Sequence, residues 1–316
     1  MNRRNFLNIT AISGAASIIP AAEILATPKS KKPAVRFAHI TDIHVKPGAI
    51  PEKGMADALH HVQQLKPKLE FVINSGDMIM DALDADKAKT QTQFDLYKKI
   101  LQQENSLPIN HAIGNHDIWG WFIKQNTIEQ QDRLYGKVWV VEELAMPKRY
   151  YRFIKSNWHI IVLDSTQLNP AGGYIGKLDE DQFDWLQQEL KTVPPNEFVC
   201  IVSHIPILSI CAGLFFDKTE PNGDLKIQRN LMHTDFLRIK KLFTQHPQVR
   251  VCLSGHIHLQ DEVEYLGVKY YCNGAVSGNW WGGAFQEFDP AYAVMELYAD
   301  GNVKRDIVPY GFQKKL

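Results

Sequence analysis

Residues 35–44 read Val-Arg-Phe-Ala-His-Ile-Thr-Asp-Ile-His, a largely apolar run that ends in an aspartate and a histidine. This composition predicts a buried β-strand over Val35–Thr41, with Asp42 and His44 just beyond its end. Four later stretches repeat the arrangement, because each joins a short apolar run to polar residues. They are Gly76-Asp77, Gly114-Asn115-His116-Asp117, the single His204 in Ser203-His204-Ile205-Pro206, and Gly255-His256-Ile257-His258.

The side chains at these strand ends predict a centre for two metal ions. Imidazole and carboxylate ligands without thiolates suit manganese, iron or zinc, divalent or trivalent. Two-metal hydrolytic sites hold their ions roughly 3.5–4 Å apart, so that the pair clamps the attacking and leaving oxygens. One carboxylate must then bridge the ions, and we expect Asp77 to do so. A hydroxide shared by the two ions is the expected nucleophile, since metal binding lowers the pKa of water toward neutrality.

From about Val35 to Val276, the five motifs resemble those of the calcineurin-like metallophosphoesterase superfamily. The resemblance implies an α/β fold, a four-layer α/β/β/α sandwich, and hydrolysis of a small-molecule phosphoester. It also implies a ligand set for each metal ion. Asp42, His44, Asp77 and His258 would hold the first ion, and Asp77, Asn115, His204 and His256 the second.

His116 is the motif histidine that this ligand set leaves free. Because it follows the ligand Asn115, we expect its ring at the rim of the metal pair, near the scissile phosphate. There it would assist the leaving group as a general acid or stabilise the transition state. For Asp117 two roles stay open, since it would either orient His116 in catalysis or cap a helix.

Two subfamilies are disfavoured by residues that follow the predicted bridge. Purple acid phosphatases place a ligand tyrosine three residues after it, where this chain has Met80. Serine/threonine protein phosphatases begin Asp-Arg-Gly at the same position, where this chain reads Met80-Asp81-Ala82. The motifs look closest to the branch with cyclic-nucleotide and glycerophosphodiester phosphodiesterases, whose members act on diesters, monoesters and pyrophosphates.

Three functions follow from this resemblance. The first is an exported phosphodiesterase or phosphomonoesterase, and the second is a hydrolase of nucleotide or lipid pyrophosphates. The third is a metal-binding protein without catalysis, which the presence of the full ligand set and His116 disfavours.

The N-terminus predicts export. Residues 1–26 contain Arg3-Arg4-Asn5-Phe6-Leu7, an apolar stretch from Ile9 to about Ala22, and small residues near Ala26. This looks like a twin-arginine signal, which would engage the twin-arginine export machinery and place a bacterial protein in the periplasm. An uncleaved membrane anchor is the alternative, although the apolar stretch is short for a membrane span. We therefore predict a signal and linker over residues 1–33 and no stable membrane span after cleavage.

Composition limits the partners and the redox chemistry. The 316 residues have a formal net charge of zero, which gives no reason to expect a nucleic acid polymer as partner. The four cysteines are Cys200, Cys211, Cys252 and Cys272. A disulfide between Cys200 and Cys252 is one possibility if their strands are neighbours, but we favour buried free thiols.

The remaining pattern predicts one domain over residues 34–316. Apolar spacing predicts helices over Met55–Leu65, Asp86–Gln103 and Asp181–Leu190, alternating with strands that end at the motifs. After the last motif, the pattern predicts an antiparallel β segment. Its strands are Val268–Cys272, Ala291–Tyr298 and Asn302–Val308.

Two apolar segments are candidates for the substrate pocket. Ile207–Asp217 contains Leu214, Phe215 and Phe216, and would form a lid after His204. Ser277–Gly283 contains Trp280 and Trp281 between glycines. These tryptophans would either stack on a nucleobase or sugar, or pack the C-terminal hairpin onto the core.

Overall fold

Two β-sheets lie face to face in this protein, and helices cover the outer face of each. The computed structural model describes residues 32–122, 128–215 and 219–314. In chain order the strands are β1 (Val35–Ile40), β2 (Val72–Asn74), β3 (Ile109–His111), β4 (Tyr151–Lys155), β5 (Trp158–Val162), β6 (Thr166–Leu168), β7 (Tyr174–Gly176), β8 (Phe198–Val202), β9 (Val249–Ser254), β10 (Gln260–Tyr265), β11 (Val268–Asn273), β12 (Ala291–Leu297) and β13 (Val303–Pro309). The helices are α1 (Ala49–Gln64), α2 (Lys87–Glu104), α3 (Lys137–Glu143), α4 (Glu180–Lys191) and α5 (Phe236–Phe243).

The two sheets share a plan of parallel central strands with antiparallel edges. The first has the order β13-β12-β1-β2-β3, in which β1, β2 and β3 are parallel. The second has the order β10-β11-β9-β8-β5-β4, in which β11, β9, β8 and β5 are parallel. β6 and β7 form a separate hairpin. Because parallel strands end at the same edge, the loops after β1, β2, β3, β8 and β9 gather the five motifs.

Three apolar clusters define the layers. Phe37 and Ile73 of the first sheet pack with Val202 and Leu253 of the second, which makes the core between the sheets. α1 and α2 pack on the outer face of the first sheet, and α4 and α5 on that of the second. The α/β fold is confirmed, and its layers follow the order α/β/β/α.

Local signals place the helices that the sequence predicts. Asp86 precedes α2, and its carboxylate accepts a hydrogen bond from the Lys89 N–H at 2.8 Å. Asp179 caps α4 in the same way through the Gln182 N–H at 2.9 Å. An N-cap carboxylate satisfies an otherwise unpaired helix donor, so these helices begin where the sequence indicates.

The predicted C-terminal antiparallel segment is only partly correct. β12 and β13 pair antiparallel, and β12 also pairs antiparallel with β1. β11, however, belongs to the second sheet, where it is parallel to β9 and antiparallel to β10. The error arose because the strand partner of β11 is chosen by distant residues. The polar β10 strand, Gln-Asp-Glu-Val-Glu-Tyr, gave no apolar run to detect.

The cysteines are free thiols, as expected. Cys200 faces the core between the sheets, whereas Cys252 faces the helices on the outer side of the second sheet. Although β8 and β9 are neighbours, the two side chains lie on opposite faces of the sheet, and all four cysteines are unpaired. Burial raises the pKa of the Cys200 thiol, so its reactive thiolate form is disfavoured.

The predicted twin-arginine signal lies outside the described residues, apart from the last residues of its linker. Within the described ranges, no helix is both long and apolar enough to cross a membrane. The domain boundary at residues 33 and 34 stays a prediction.

A buried ion network holds the end of β5. Asp164 follows this strand, and its carboxylate oxygens lie 2.8 and 2.6 Å from the Lys137 ammonium. Arg149 donates to the same carboxylate at 2.8 Å and pairs with Asp179, the N-cap residue of α4. Because the Asp164 side chain is fully buried, this carboxylate is needed to balance the cations around it.

We expect Asp164→Asn to lower the free energy of unfolding by about 3 kcal/mol, because Lys137 would lose its buried counter-charge. Denaturation by guanidinium chloride measures the change. The matched control is Asp57→Asn, which removes an exposed pair with Lys53 and should change stability far less. Equal losses in the two variants would contradict the assigned role of the network.

Candidate metal centre

All seven predicted ligands meet at the carboxyl edge of the two sheets. In the first group, the Nε2 atoms of His44 and His258 lie 3.1 Å apart. Asp42 Oδ1 is 3.5 Å from the His258 nitrogen and 3.8 Å from that of His44. In this arrangement a carboxylate and two imidazoles converge on one point.

A second group lies beside the first. The Nε2 atom of His204 is 3.0 Å from Asn115 Oδ1 and 3.1 Å from His256 Nδ1. Asp77 stands between the groups, since its Oδ2 atom is 3.2 Å from His204 Nε2 and 3.6 Å from His44 Nε2. This placement is the one that a carboxylate bridging two ions requires.

In three of the four ligand histidines, the ring nitrogen that points away from the centre is fixed by a backbone carbonyl, whereas the buried Nδ1 of His44 has no hydrogen-bond partner. His256 Nε2 lies 2.7 Å from Asn230 O, and His204 Nδ1 lies 3.1 Å from Ser75 O. His258 Nδ1 is 2.5 Å from Gly278 O. A ring nitrogen that donates outward leaves the inner nitrogen as a lone-pair donor, the usual outer contact of a metal-ligating histidine.

The residues fit a metal pair. Asp42 Oδ1 is buried and accepts no hydrogen bond, although an orphaned buried carboxylate oxygen is unfavourable. Among the described residues, three triads of imidazole and carboxylate groups have ligand atoms within 4.8 Å of one another. These are Asp42, His44 and His258; His44, Asp77 and His116; and Asp77, His204 and His256.

Opposed effects set the charges of this centre. Burial alone would raise the pKa of Asp42, but the contact and charge of His258, with His204, lower it to about 2. Burial would lower the pKa of His204, yet Asp77 raises it to about 9. Burial and the charge of His204 lower the pKa of His256 to about 3. Without metal the centre therefore keeps its carboxylates ionised and a proton on His204, which a metal ion would displace.

Five of the seven predicted ligands have left-handed backbone conformations. The φ angles are 53° at Asp42, 49° at His44, 54° at Asp77, 72° at His256 and 55° at His258. Such angles are uncommon outside glycine and unfavourable by roughly 1–2 kcal/mol per residue. They turn the chain sharply at the strand end and aim these side chains into the space between the sheets.

The glycines beside the ligands are required for two different reasons, a positive φ angle and lack of space for a side chain. Gly76 has a positive φ of 112°, but Gly114 has a φ of −90°. A Cβ atom on Gly114 would lie 2.0 Å from the Asp77 backbone nitrogen, and one on Gly255 would lie 2.2 Å from Asp42 Oδ2. Gly114 and Gly255 are therefore required because neighbouring loops approach so closely.

Asp117 holds two of these loops together. Its buried carboxylate accepts hydrogen bonds from the N–H groups of Gly114 at 2.9 Å, Asp77 at 2.9 Å and Met78 at 2.8 Å. The bond to Gly114 is of the helix-capping kind, since Asn115–Asp117 form one 3₁₀ turn. Burial, followed by the charge of Asp77, raises the pKa of Asp117 to about 7. In the described residues the carboxylate forms no hydrogen bond with the His116 ring.

His116 lies beside the first group. Its backbone N–H donates to Asp77 Oδ1 at 2.8 Å, and its ring meets the His44 ring edge-on at 4.8 Å. The buried Nδ1 atom has no hydrogen-bond partner, and Asp81 Oδ1 is 4.0 Å from it. Asp81 is thus the carboxylate nearest to this ring, a contact that the sequence did not predict.

The two tryptophans have different surroundings, and their stacking on a nucleobase or sugar stays a prediction. Trp281 is buried, packs on Gly54 of α1 and donates from Nε1 to the His44 carbonyl at 3.0 Å. Trp280 is half-buried, with its ring centroid 4.3 Å from that of His258. Packing therefore accounts for Trp281, while Trp280 covers the first ligand group.

The segment after His204 is described as far as Phe215. The Asp261 carboxylate accepts hydrogen bonds from Ser209 Oγ at 2.8 Å and from the Ile210 and Cys211 N–H groups at 2.6 and 3.0 Å. These bonds fix the segment to β10. The rest of the predicted lid, from Phe216 onward, lies outside the described residues.

Tyr174 and Asn230 are further neighbours of the centre that the sequence did not indicate. The Tyr174 ring centroid is 6.1 Å from that of His256, and Asn230 supplies the carbonyl that fixes the same imidazole. Neither residue belongs to a motif. The only available signal was the glycine-rich stretch before Tyr174, which marks a hairpin loop.

The chain belongs to the calcineurin-like phosphoesterase family, whose model matches residues 35–260. It is 26% identical over 297 residues to a 3′,5′-cyclic-nucleotide phosphodiesterase of Nostoc sp., covering 89% of this chain and 95% of the relative. It is 20% identical to a 3′,5′-cyclic adenosine monophosphate phosphodiesterase of Haemophilus influenzae, covering 88% of this chain and 91% of the relative.

A solved structure shares the fold. The dimetal phosphatase from Danio rerio superposes with a TM-score of 0.58 at 15% identity, over 89% of this chain and all of that one. The family match, with the clusters of histidine and aspartate, makes this protein a metal-dependent phosphoester hydrolase.

We expect Asp77→Ala to lose both metal ions, because its carboxylate serves both groups, whereas His258→Ala should keep about one ion per chain. Metal analysis after dialysis measures the stoichiometry. Asp81→Ala is the control, since it removes a nearby carboxylate outside the ligand set and should keep about two ions. If Asp77→Ala bound as much metal as His258→Ala, the bridging role would be refuted.

Proposed function

We propose that this protein hydrolyses 3′,5′-cyclic nucleotides or closely related phosphodiesters at a pair of metal ions. The observation that carries the proposal is the position of the Asp77 carboxylate between the two histidine groups. Both curated relatives described above are named as cyclic-nucleotide phosphodiesterases, and each is matched over nearly its whole length.

The ligand set assigns the binding chemistry. Asp42, His44, Asp77 and His258 would hold one ion, and Asp77, Asn115, His204 and His256 the other. Bound metal ions would supply Lewis acidity that activates water and neutralises charge on the phosphate. The chain contributes preorganised geometry, because backbone hydrogen bonds to Asp117 and Asp42 hold ligand loops of both sheets in place.

His116 provides the proton for the leaving group. The support for this role is the hydrogen bond from the His116 backbone N–H to Asp77 Oδ1, which would hold the ring near a phosphate bound at the metal ions. Its Nδ1 atom is the buried nitrogen, which leaves Nε2 to face the leaving oxygen. The Asp81 carboxylate, 4.0 Å from Nδ1, would stabilise the protonated ring through its charge. Asp117 acts on His116 only through the loop, as a positioning residue.

We expect His116→Ala to lower kcat for cyclic AMP by about 10²- to 10⁴-fold while both metals stay bound, because only proton transfer is removed. The assay uses protein loaded in turn with manganese, iron and zinc, with cyclic AMP, chromogenic diesters, chromogenic monoesters and a pyrophosphate-linked nucleotide as substrates. Metal content is measured on the same samples.

The control for this experiment is His60→Ala, which removes an exposed histidine of α1 that pairs with Glu104. It should keep full activity. Unchanged turnover in His116→Ala would exclude the catalytic role of this residue. Turnover of pyrophosphate-linked nucleotides alone would replace the diesterase proposal by the pyrophosphate hydrolase.

The proposal includes export to the periplasm by the twin-arginine machinery. Its support is the sequence Arg3-Arg4-Asn5-Phe6-Leu7 before an apolar stretch with small residues at its end. This route carries folded proteins, so the metal ions can be loaded before export.

We expect replacement of both Arg3 and Arg4 by lysine to keep the protein in the cytoplasm as an uncleaved precursor, because the arginine pair is the address that the machinery reads. Fractionation of bacterial cells, with blotting of each fraction, measures the distribution. Replacing Lys31 and Lys32 by arginine is the charge-matched control. Normal export of the double lysine variant would refute this route.

A further inference from the structure

A cleft of about 590 Å³ lies beside the second ligand group. Phe122 and the β6–β7 hairpin, including Tyr174, form one side, and residues 226–230 form the other. Its volume falls in the range of pockets that hold drug-sized ligands, roughly 300–1,000 Å³.

The cleft and the metal centre share a wall. Tyr174 lines the cleft, and its ring centroid lies 6.1 Å from that of His256. Asn230 also lines the cleft, while its carbonyl accepts the hydrogen bond from His256 Nε2. Tyr174 and Asn230 thus lie on the border between the cleft and the second ligand group, which places the cleft next to the metal centre.

Two aromatic rings give the cleft a flat face. Phe122 and Tyr174 stack with centroids 6.0 Å apart and planes inclined by 15°. Phe122 is 46% exposed, which is high for a large apolar side chain. An exposed ring stacked on a second ring favours a planar partner, because aromatic faces gain most from offset stacking.

The polar side chains that line the cleft limit the kind of ligand that can bind there. Within the described residues the Arg229 guanidinium forms no ion pair, whereas Lys226 lies 3.1 Å from Glu220. Gln228 and Asn230 line the same cleft with amide side chains, and that of Asn230 is hydrogen-bonded to the Tyr174 side chain. Positive charge disfavours a cationic group such as choline, and the polar amides disfavour an acyl chain. Planarity, donors and acceptors together match a heteroaromatic base.

We propose that this cleft binds the nucleobase of the substrate, with Phe122 as the stacking residue and Arg229 and the two amides as hydrogen-bonding partners. The inference rests on the proposed function, since it assumes that a nucleotide phosphate binds at the metal centre.

The experiment compares two ligands that differ only in the base. Calorimetric titration of manganese-loaded protein with adenosine 5′-monophosphate and with ribose 5-phosphate isolates the base contribution. The native protein should bind the nucleotide at least about tenfold more tightly, as expected for stacking of one base on an aromatic ring. Phe122→Leu should lose most of this difference, and Arg229→Gln part of it, while ribose 5-phosphate affinity stays unchanged.

Tyr265→Leu is the matched control, because it removes an exposed aromatic ring of β10 outside the cleft and should preserve the difference. Equal affinities of the native protein for the two ligands would overturn the inference, as would a Phe122→Leu variant that behaves like the control. Cyclic AMP hydrolysis, measured on the same preparation, separates the two proposals. Loss of base discrimination with hydrolysis intact refutes only the cleft assignment, and discrimination without hydrolysis refutes only the diesterase.

Discussion

The rest of the centre depends on the hydrogen bonds that the buried carboxylate of Asp117 accepts from two loops. This carboxylate draws together the backbone amides of Gly114, Asp77 and Met78, which belong to loops on neighbouring strands. These amide donors lower the pKa of the carboxyl group, although burial and the charge of Asp77 outweigh them and raise it to about 7. This contact fixes the bridging Asp77 and the start of the Asn115–His116 turn as one rigid piece. The glycine at position 114 makes it possible, since any side chain there would separate the loops.

Hydrogen bonds also join the ligand loops of the first sheet to those of the second. The His256 N–H donates to Asp42 Oδ2, and Ser277 Oγ donates to the Asp42 carbonyl. Ligands from the first sheet are thereby held by loops of the second. The order of the ligands in space therefore follows from the packing of the two sheets against each other.

Much of this centre could be predicted because each ligand follows an apolar strand directly. Asp42 and His204 lie within two residues of β1 and β8, so a local pattern reveals both the strand and its polar end. Tyr174 and Asn230 could not be found in this way, because they reach His256 from segments far away in sequence. The sequence did not predict the parallel pairing of β11 with β9 for the same reason, because tertiary packing decides which strands become neighbours. Local residues likewise do not reveal that the ligands would adopt left-handed conformations while Gly114 would not.

The left-handed backbone conformations of five ligand residues set the stability of the protein against its metal binding. Glycine at any of these five positions would relieve backbone strain and would also remove a ligand. Stability and metal binding are therefore opposed at the same residues. At these five positions the chain accepts backbone strain in exchange for a ligand side chain.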